Sequence, residues 1–194
     1  KEEIPLLSAD FILKKVLSPM SEFTKKKSKA KVIVSHNDIF SEDIKKAVEK
    51  GATLIYFIDK EDKNNPFSLK FSSVSKFEPA VKIKSSEQDS LFAGIDDIDN
   101  ILIKKIVSFE EEENKDIKVL ARLENEMPYI ISKQEGQGKV ILFLSPLDYD
   151  WQNLHLTYSF PKLMEKLLKE AVKTSQEGEY KLISEITAEG KLIK

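Results

Sequence analysis

The sequence contains no cysteine and only two histidines, His36 and His155. The absence of cysteine excludes a cysteine nucleophile, thiolate metal sites and disulfides, and two histidines make a metal centre an unexpected feature. Lysine and arginine number 31 against 33 acidic residues, so no basic excess is present to neutralise a nucleic-acid backbone. The apolar runs are far too short to span a bilayer. The composition of this 194-residue chain therefore indicates a soluble globular domain and names no function.

The first clear architectural signal is a strand, a helix and a second strand in succession. Residues 32–34 (VIV) form a short apolar run, as expected of a strand covered on both faces. Ile44, Ala47 and Val48 then fall on one helical face, and Gly51 follows at a position that favours a left-handed residue. Because a second apolar run follows directly, this segment predicts a right-handed βαβ unit with parallel strands.

The second half of the chain predicts antiparallel strands and a long helix. Residues 81–84 alternate apolar side chains with lysine, which is typical of an exposed edge strand. The runs 128–131 and 140–144 flank a glycine-bearing turn and predict a hairpin, and an apolar stripe predicts a helix over about 159–173. This order indicates a three-layer α/β/α sandwich whose mostly parallel sheet has an antiparallel hairpin at one edge.

A polar segment follows the first predicted strand. His36, Asn37 and Asp38 leave that strand at its carboxyl end, where open α/β sheets place ligand sites. These residues could line a pocket, and a Ser-His-Asp triad with Ser35 is conceivable because triads are recognised by geometry. No Gly-x-Ser-x-Gly elbow accompanies them, so we favour a strand-to-helix turn with polar capping residues.

A second polar segment, SPLDYDWQNLHL, follows the predicted strand at 140–144. It carries four candidate pocket or loop residues: Asp148, Asp150, Trp151 and His155. Two carboxylates and an imidazole could hold a divalent ion. We favour a loop whose tryptophan packs on the core while the acids cap turns.

The glycines of the predicted hairpin turn give a third, much weaker signal. Gly136-Gln137-Gly138 opens a strand rather than a helix, so it is a poor phosphate-binding motif. From the residues alone, we therefore assign no catalytic residue, no metal site and no cofactor.

Three stretches of the chain carry a resemblance to a known family. Residues 31–57 show a strand, helix, glycine, strand pattern, and residues 90–95 (SLFAGI) form a turn without the family's His-Pro. Residues 119–168 contain the most specific part, Pro-Leu-Asp-x-x-Trp at 146–151. Together these stretches resemble the class I glutamine-amidotransferase-like domain of Bat-type aerotolerance proteins. In those bacterial membrane proteins the domain accompanies a von Willebrand A domain and transmembrane helices.

The resemblance implies a flavodoxin-like fold over residues 1–175. Residues 176–194 would form a short β tail, consistent with the start of a truncated further module. The resemblance also implies a periplasmic domain of a membrane-anchored protein, whose membrane segments are not in this chain. The parent enzymes use a cysteine nucleophile, which this sequence lacks, so the amidotransferase activity is not carried over.

We therefore expect a non-catalytic interaction or scaffold domain of a bacterial cell-envelope protein. Its partner would be a protein, such as the von Willebrand A domain of the same chain or complex, and not a nucleic acid. Contact would be made through the strand-end loops or the edge strand at 81–83.

Two alternatives to this expectation stay open. A hydrolase could use the strand-end crevice, with His36 and Asp38 or with the acids and histidine of the second segment. That reading requires these groups to converge in a partly dry pocket. The domain could instead recognise a sugar by stacking on Trp151 or Tyr149, which a buried Trp151 ring would exclude for that residue.

Overall fold

The computed structural model describes residues 13, 16–17, 32–36, 42–58, 67, 69, 71–84, 91–109 and 116–174, and the structural statements below concern these residues. Their named elements are β1 (Val32–His36), α1 (Glu42–Glu49), β2 (Thr53–Phe57), β3 (Phe71–Lys82), β4 (Leu102–Phe109), β5 (Ile117–Arg122), β6 (Pro128–Glu135), β7 (Gly138–Phe143) and α2 (Ser159–Thr174). Leu13, Val16 and Leu17 are also helical. Two 3-10 helices, Ile98–Asn100 and Leu154–Leu156, lie in the connections.

The main sheet has the strand order β1-β2-β7-β6-β5. β1, β2 and β7 run parallel, whereas β7, β6 and β5 pair antiparallel. Every residue of β2 is buried, which is the pattern of a central strand covered on both faces. The predicted α/β sandwich of the flavodoxin-like class is therefore confirmed, with its parallel strands on one side and its antiparallel hairpin on the other.

The two helices form where the sequence predicts them. α1 buries Ile44 and Val48, and Gly51 ends it with a φ of 113°, a conformation that glycine adopts without strain. α2 packs its apolar stripe on the sheet through Phe160, whose ring meets the Phe57 ring edge-on at 6.2 Å. Phe57 in turn stacks on Phe143 of the neighbouring strand at 4.2 Å. These ring contacts join α2 to the centre of the parallel sheet.

The glycines of the β6–β7 turn allow a close backbone contact with the end of α1. A Cβ atom on Gly138 would lie 2.1 Å from the carbonyl oxygen of Val48, and one on Gly136 would lie 2.7 Å from that of Glu49. The Gln137 N–H donates to the Glu49 carbonyl at 3.0 Å. The Gly-Gln-Gly segment is thus explained by packing, and needs no phosphate to account for it.

β3 and β4 form a separate antiparallel sheet of two strands. The predicted edge strand at 81–84 overlaps the end of β3, but the prediction that it is exposed is wrong. Ile83 is 2% exposed and forms a bridge with Leu123, and the Lys84 N–H donates to the Arg122 carbonyl at 2.9 Å. This strand end is therefore paired with the main sheet, which removes it as a free edge for a partner.

The domain boundaries stay predictions, because the expected β tail at 176–194 lies outside the described residues. Within the described part of the chain, none of the helices combines the length and apolar character required to cross a bilayer.

Candidate functional site

His36 and the polar segment after β7 lie at the same edge of the main sheet. His36 is the last residue of β1 and pairs with Phe57, which pairs with Phe143 of β7. Because these strands are parallel, the residues that follow them leave at one edge. Asn37 and Asp38 lie outside the described residues. The described part of the site is therefore the connection from β7 to α2, residues 144–158, called the β7–α2 loop below.

β4 crosses the point where β7 ends. The Val107 N–H of β4 donates to the Leu144 carbonyl at 2.7 Å, and the Lys104 and Lys105 N–H groups both donate to the Trp151 carbonyl, at 2.7 and 3.1 Å. The Ser145 hydroxyl completes the contact by donating to the Lys105 carbonyl at 3.0 Å. The backbone of β4 is thus hydrogen-bonded to the segment that directly follows β7.

The interior of the β7–α2 loop is organised by one buried side chain, Gln152. Its Nε2 group donates to the Ser145 and Pro146 carbonyls at 2.9 and 2.8 Å, and its Oε1 atom accepts from the Tyr129 hydroxyl. Burial raises the pKa of Tyr129 well above its usual range, and the hydrogen bond to Gln152 only partly opposes this, so the phenol stays a proton donor. All hydrogen-bonding groups of this carboxamide are used to hold the loop.

Trp151 fixes the loop to the hydrophobic core. Its side chain is only 6% exposed and belongs to the main cluster of buried residues. The predicted packing of this tryptophan on the core is confirmed, and the ring cannot serve as an exposed platform for a sugar.

The two acids of the loop lie close together, in a turn. The Asp148 Oδ1 atom accepts from the Asp150 N–H at 2.8 Å, and the Asp148 carbonyl accepts from the Trp151 and Gln152 N–H groups. Asp148 therefore caps a turn, as the sequence predicts. His155 lies further along, in the 3-10 helix Leu154–Leu156, and is half-buried. Among the described residues, no group of three His, Asp or Glu side chains is arranged to hold a metal ion.

The exterior of the loop is unusually apolar. Five large hydrophobic side chains are exposed in the described part of the chain, and three of them lie on the β7–α2 loop. These three are Tyr149, Leu156 and Tyr158, with exposed fractions of 61%, 63% and 88%, and they are called the loop surface below. The sequence does not predict this surface, because a tyrosine or leucine in a loop carries no pattern that separates an inward from an outward side chain.

The loop surface is held in place by hydrogen bonds from its neighbours. The Lys104 ammonium lies 3.9 Å from the centre of the Tyr149 ring and donates to the Tyr149 carbonyl at 2.9 Å. Asn153 accepts from the Leu102 N–H through Oδ1 and donates through Nδ2 to the Asn100 carbonyl, at 2.7 and 2.9 Å. The surface therefore sits on a scaffold of fixed geometry.

Three solved structures share this fold. Cytoplasmic protein STM3548 from Salmonella typhimurium is 15% identical, with a TM-score of 0.58, over 80% of this chain and 78% of that protein. Cytoplasmic protein STM1381 from the same species is 14% identical, with a TM-score of 0.57, over 77% and 76%. A protein from Bacteroides uniformis described as ThuA-like is 10% identical, with a TM-score of 0.55, over 87% and 84%. No family model matches the chain, and no curated protein matches it.

These findings correct the family resemblance. These three structures are described as cytoplasmic or ThuA-like proteins, so the assignment to Bat-type domains is wrong. The expected periplasmic, membrane-anchored location and the aerotolerance and von Willebrand associations are contradicted by the same neighbours. The physical reason lies in the residues that carried the resemblance: Gly138 permits a backbone contact, Asp148 caps a turn and Trp151 packs in the core. These residues are therefore explained by the packing and turns of the fold, and they do not identify a family. The neighbours, at 10–15% sequence identity, likewise show only the fold.

Proposed function

We propose that this chain is a non-catalytic binding module that contacts a protein partner through the loop surface. The observation that carries the proposal is the concentration of exposed apolar side chains, Tyr149, Leu156 and Tyr158, on a single loop. Contiguous exposed apolar side chains are typical of protein interaction sites, whereas isolated ones need no explanation.

The construction of the loop supports a role in binding. Gln152 and Trp151 fix it from the inside, and Lys104 fixes the Tyr149 backbone from the side. A surface that is already ordered loses little conformational entropy when a partner binds. Tyrosine also supplies a large contact area with few rotatable bonds, which is why it is common among the residues that dominate binding energies.

The polar groups of the loop favour binding over catalysis. Ser145, Asp148 and Gln152 all form hydrogen bonds that shape the loop or attach it to β4. A hydrolase would need such groups directed into a shared, partly dry pocket, with a nucleophile or water within reach of a base. In the described part of the site, the backbone of β4 is hydrogen-bonded to the loop that would have to line such a pocket.

The test compares a triple variant of the loop surface with a matched control. The variant is Tyr149→Ser/Leu156→Ser/Tyr158→Ser, and the control is Val74→Ser, which removes an exposed apolar side chain from β3. Each full chain is immobilised and exposed to an extract of the source organism, the recovered protein is purified, and its Kd is measured by calorimetry. We expect the parent and the control to bind equally and the triple variant to bind at least ~100-fold more weakly.

Two results would overturn the proposal. The first is a recovered partner whose Kd is the same for the triple variant and the parent. The second is self-association of the parent chain in analytical ultracentrifugation that the triple variant abolishes, because the surface would then join copies of this chain.

A further inference from the structure

Three carboxylates border the loop surface, and they are called the acidic rim below: Asp97, Asp99 and Asp150. Asp150 directly follows Tyr149 in the turn. Asp99 precedes Asn100, whose carbonyl accepts from the Asn153 side chain at 2.9 Å. The acidic rim therefore approaches the loop from the turn itself and from the 3-10 helix beside it.

The third carboxylate lies near the end of the loop. The carbonyl of Asp96, the residue before Asp97, accepts from the Ser159 hydroxyl at 2.8 Å, and Ser159 directly follows Tyr158. All three rim residues are exposed. The rim and the loop surface are thus parts of one face of the molecule.

Three lysines near this face make contacts within their own chain, and one of these contacts is an ion pair. Lys104 donates to the Tyr149 carbonyl, Lys162 pairs with Asp96 at 2.6 Å, and Lys166 donates to the Ala93 carbonyl at 3.0 Å. Among the described residues, no cation forms an ion pair with the acidic rim. Within the described residues, the face therefore combines exposed apolar side chains with carboxylates that form no ion pair.

From this arrangement we infer the chemistry of the partner: a protein segment with lysine or arginine side chains flanking apolar ones. The inference rests on the proposed function and adds the charge of the partner to it. Apolar centres with charged rims are the usual organisation of interfaces, and opposite charge across the rim speeds association and excludes wrong partners. A second copy of this chain would bring the same acidic rim into a two-fold contact, where like charges oppose each other.

The test uses two fluorescein-labelled peptides of 14 residues with identical leucine and tryptophan positions. One peptide has lysine at the remaining positions and the other has glutamate. Anisotropy titrations with the full chain, at low and at physiological salt, give the Kd of each. We expect the lysine peptide to bind at least ~10-fold more tightly than the glutamate peptide, and to weaken as salt rises.

Two triple variants locate the effect. Asp97→Asn/Asp99→Asn/Asp150→Asn neutralises the acidic rim and is expected to weaken the lysine peptide about 10-fold and to flatten its salt dependence. Glu42→Gln/Asp43→Asn/Glu49→Gln removes three exposed acids from α1 and is expected to leave the Kd unchanged.

The outcomes separate this inference from the proposed function. Equal binding of the two peptides, binding of neither, or an unchanged Kd in the rim variant overturns the basic partner. If the partner recovered from the extract loses affinity for the loop-surface variant but not for the rim variant, the proposed function stands and the inference about charge is wrong. If no partner depends on the loop surface, both are wrong.

Discussion

The two edges of the parallel strands are closed in opposite ways. At the amino edge, Gly136 and Gly138 let the β6–β7 turn contact the end of α1 backbone to backbone. At the carboxyl edge, the β7–α2 loop is attached by side chains, with Gln152 and Trp151 buried beneath it. The contact at the amino edge depends on glycines, which have no side chain, whereas the contact at the carboxyl edge depends on two buried side chains.

This difference explains why only one edge presents a surface. At the amino edge the close contact is made by backbone, so a side chain added at Gly136 or Gly138 would disturb the fold. At the carboxyl edge, different residues of one loop serve stability and binding. Trp151 and Gln152 are buried and stabilise the loop, while Tyr149 and Tyr158 are exposed. Changes to the outward residues should alter binding without altering stability.

The largest expected effect is at the amino edge. In Gly138→Ala the new Cβ would lie 2.1 and 2.2 Å from the carbonyl oxygens of Val48 and Ala52, and backbone atoms cannot move aside. We expect the free energy of unfolding in urea to fall by about 3–5 kcal/mol. Gly94→Ala is the control, because Gly94, unlike Gly138, has a positive φ, +74°, but no atom lies within 4 Å of the added Cβ. It should cost about 1 kcal/mol, and similar losses for the two variants would contradict the close contact.

The next effect compares two aromatic residues of the β7–α2 loop. Trp151→Ala removes a buried ring from the core and should cost about 3–5 kcal/mol in urea unfolding. Tyr149→Ala removes an exposed ring that contacts Lys104, and should cost less than about 1 kcal/mol. A Trp151→Ala variant that unfolds at the same urea concentration as Tyr149→Ala would contradict the division of the loop into an inner and an outer side.

A smaller effect measures the hydrogen bond between Gln152 and Tyr129. Gln152→Leu removes the acceptor of the buried Tyr129 hydroxyl and the donor to the Ser145 and Pro146 carbonyls, of which Pro146 keeps the Asp148 N–H. It should cost about 2–3 kcal/mol. Adding Tyr129→Phe removes the stranded hydroxyl, so the double variant should lose less than the sum of the two single variants. We expect a coupling of about 1 kcal/mol in the double-mutant cycle, and strict additivity would show that the two groups act independently.

Local signals made most of the fold predictable from the sequence. Apolar periodicity and turn residues identify α1, α2, the parallel strands and the β6–β7 hairpin, because each depends on residues close in the chain. The position of β4 was not predictable, since it depends on hydrogen bonds from β4 to the carbonyls of Leu144 and Trp151, across the fold. The same limit explains the wrong exposure at Ile83, whose burial depends on its bridge to Leu123.

The candidate site was predictable only in part. The turn-capping role of Asp148 and the burial of Trp151 follow from residue type and neighbouring sequence. Gln152 was missed because its burial requires a partner 23 positions away, the Tyr129 hydroxyl, and glutamine by itself predicts exposure. The outward direction of Tyr158 was missed because it is decided by how the loop is attached, which no local pattern encodes.

The smallest expected effect concerns an exposed contact at the carboxyl edge, between Asp96 and Lys162. The hydrogen bond from Lys162, aided by its charge, holds the pKa of Asp96 below its ordinary value of 3.8. Because the pKa is lower in the folded state, the contribution to stability is present above pH 3.8 and is lost as the pH falls through the folded-state pKa. Salt screens such an exposed pair.

Lys162→Met should raise the pKa of Asp96 towards 3.8 in a carboxyl NMR titration, with little change in the midpoint of urea unfolding at neutral pH. Lys169→Met, which breaks a pair with Glu165 on the same helix, should leave the pKa of Asp96 unchanged. A large loss of stability in Lys162→Met would mean that exposed charges, rather than Gln152 and Trp151, hold the carboxyl edge together.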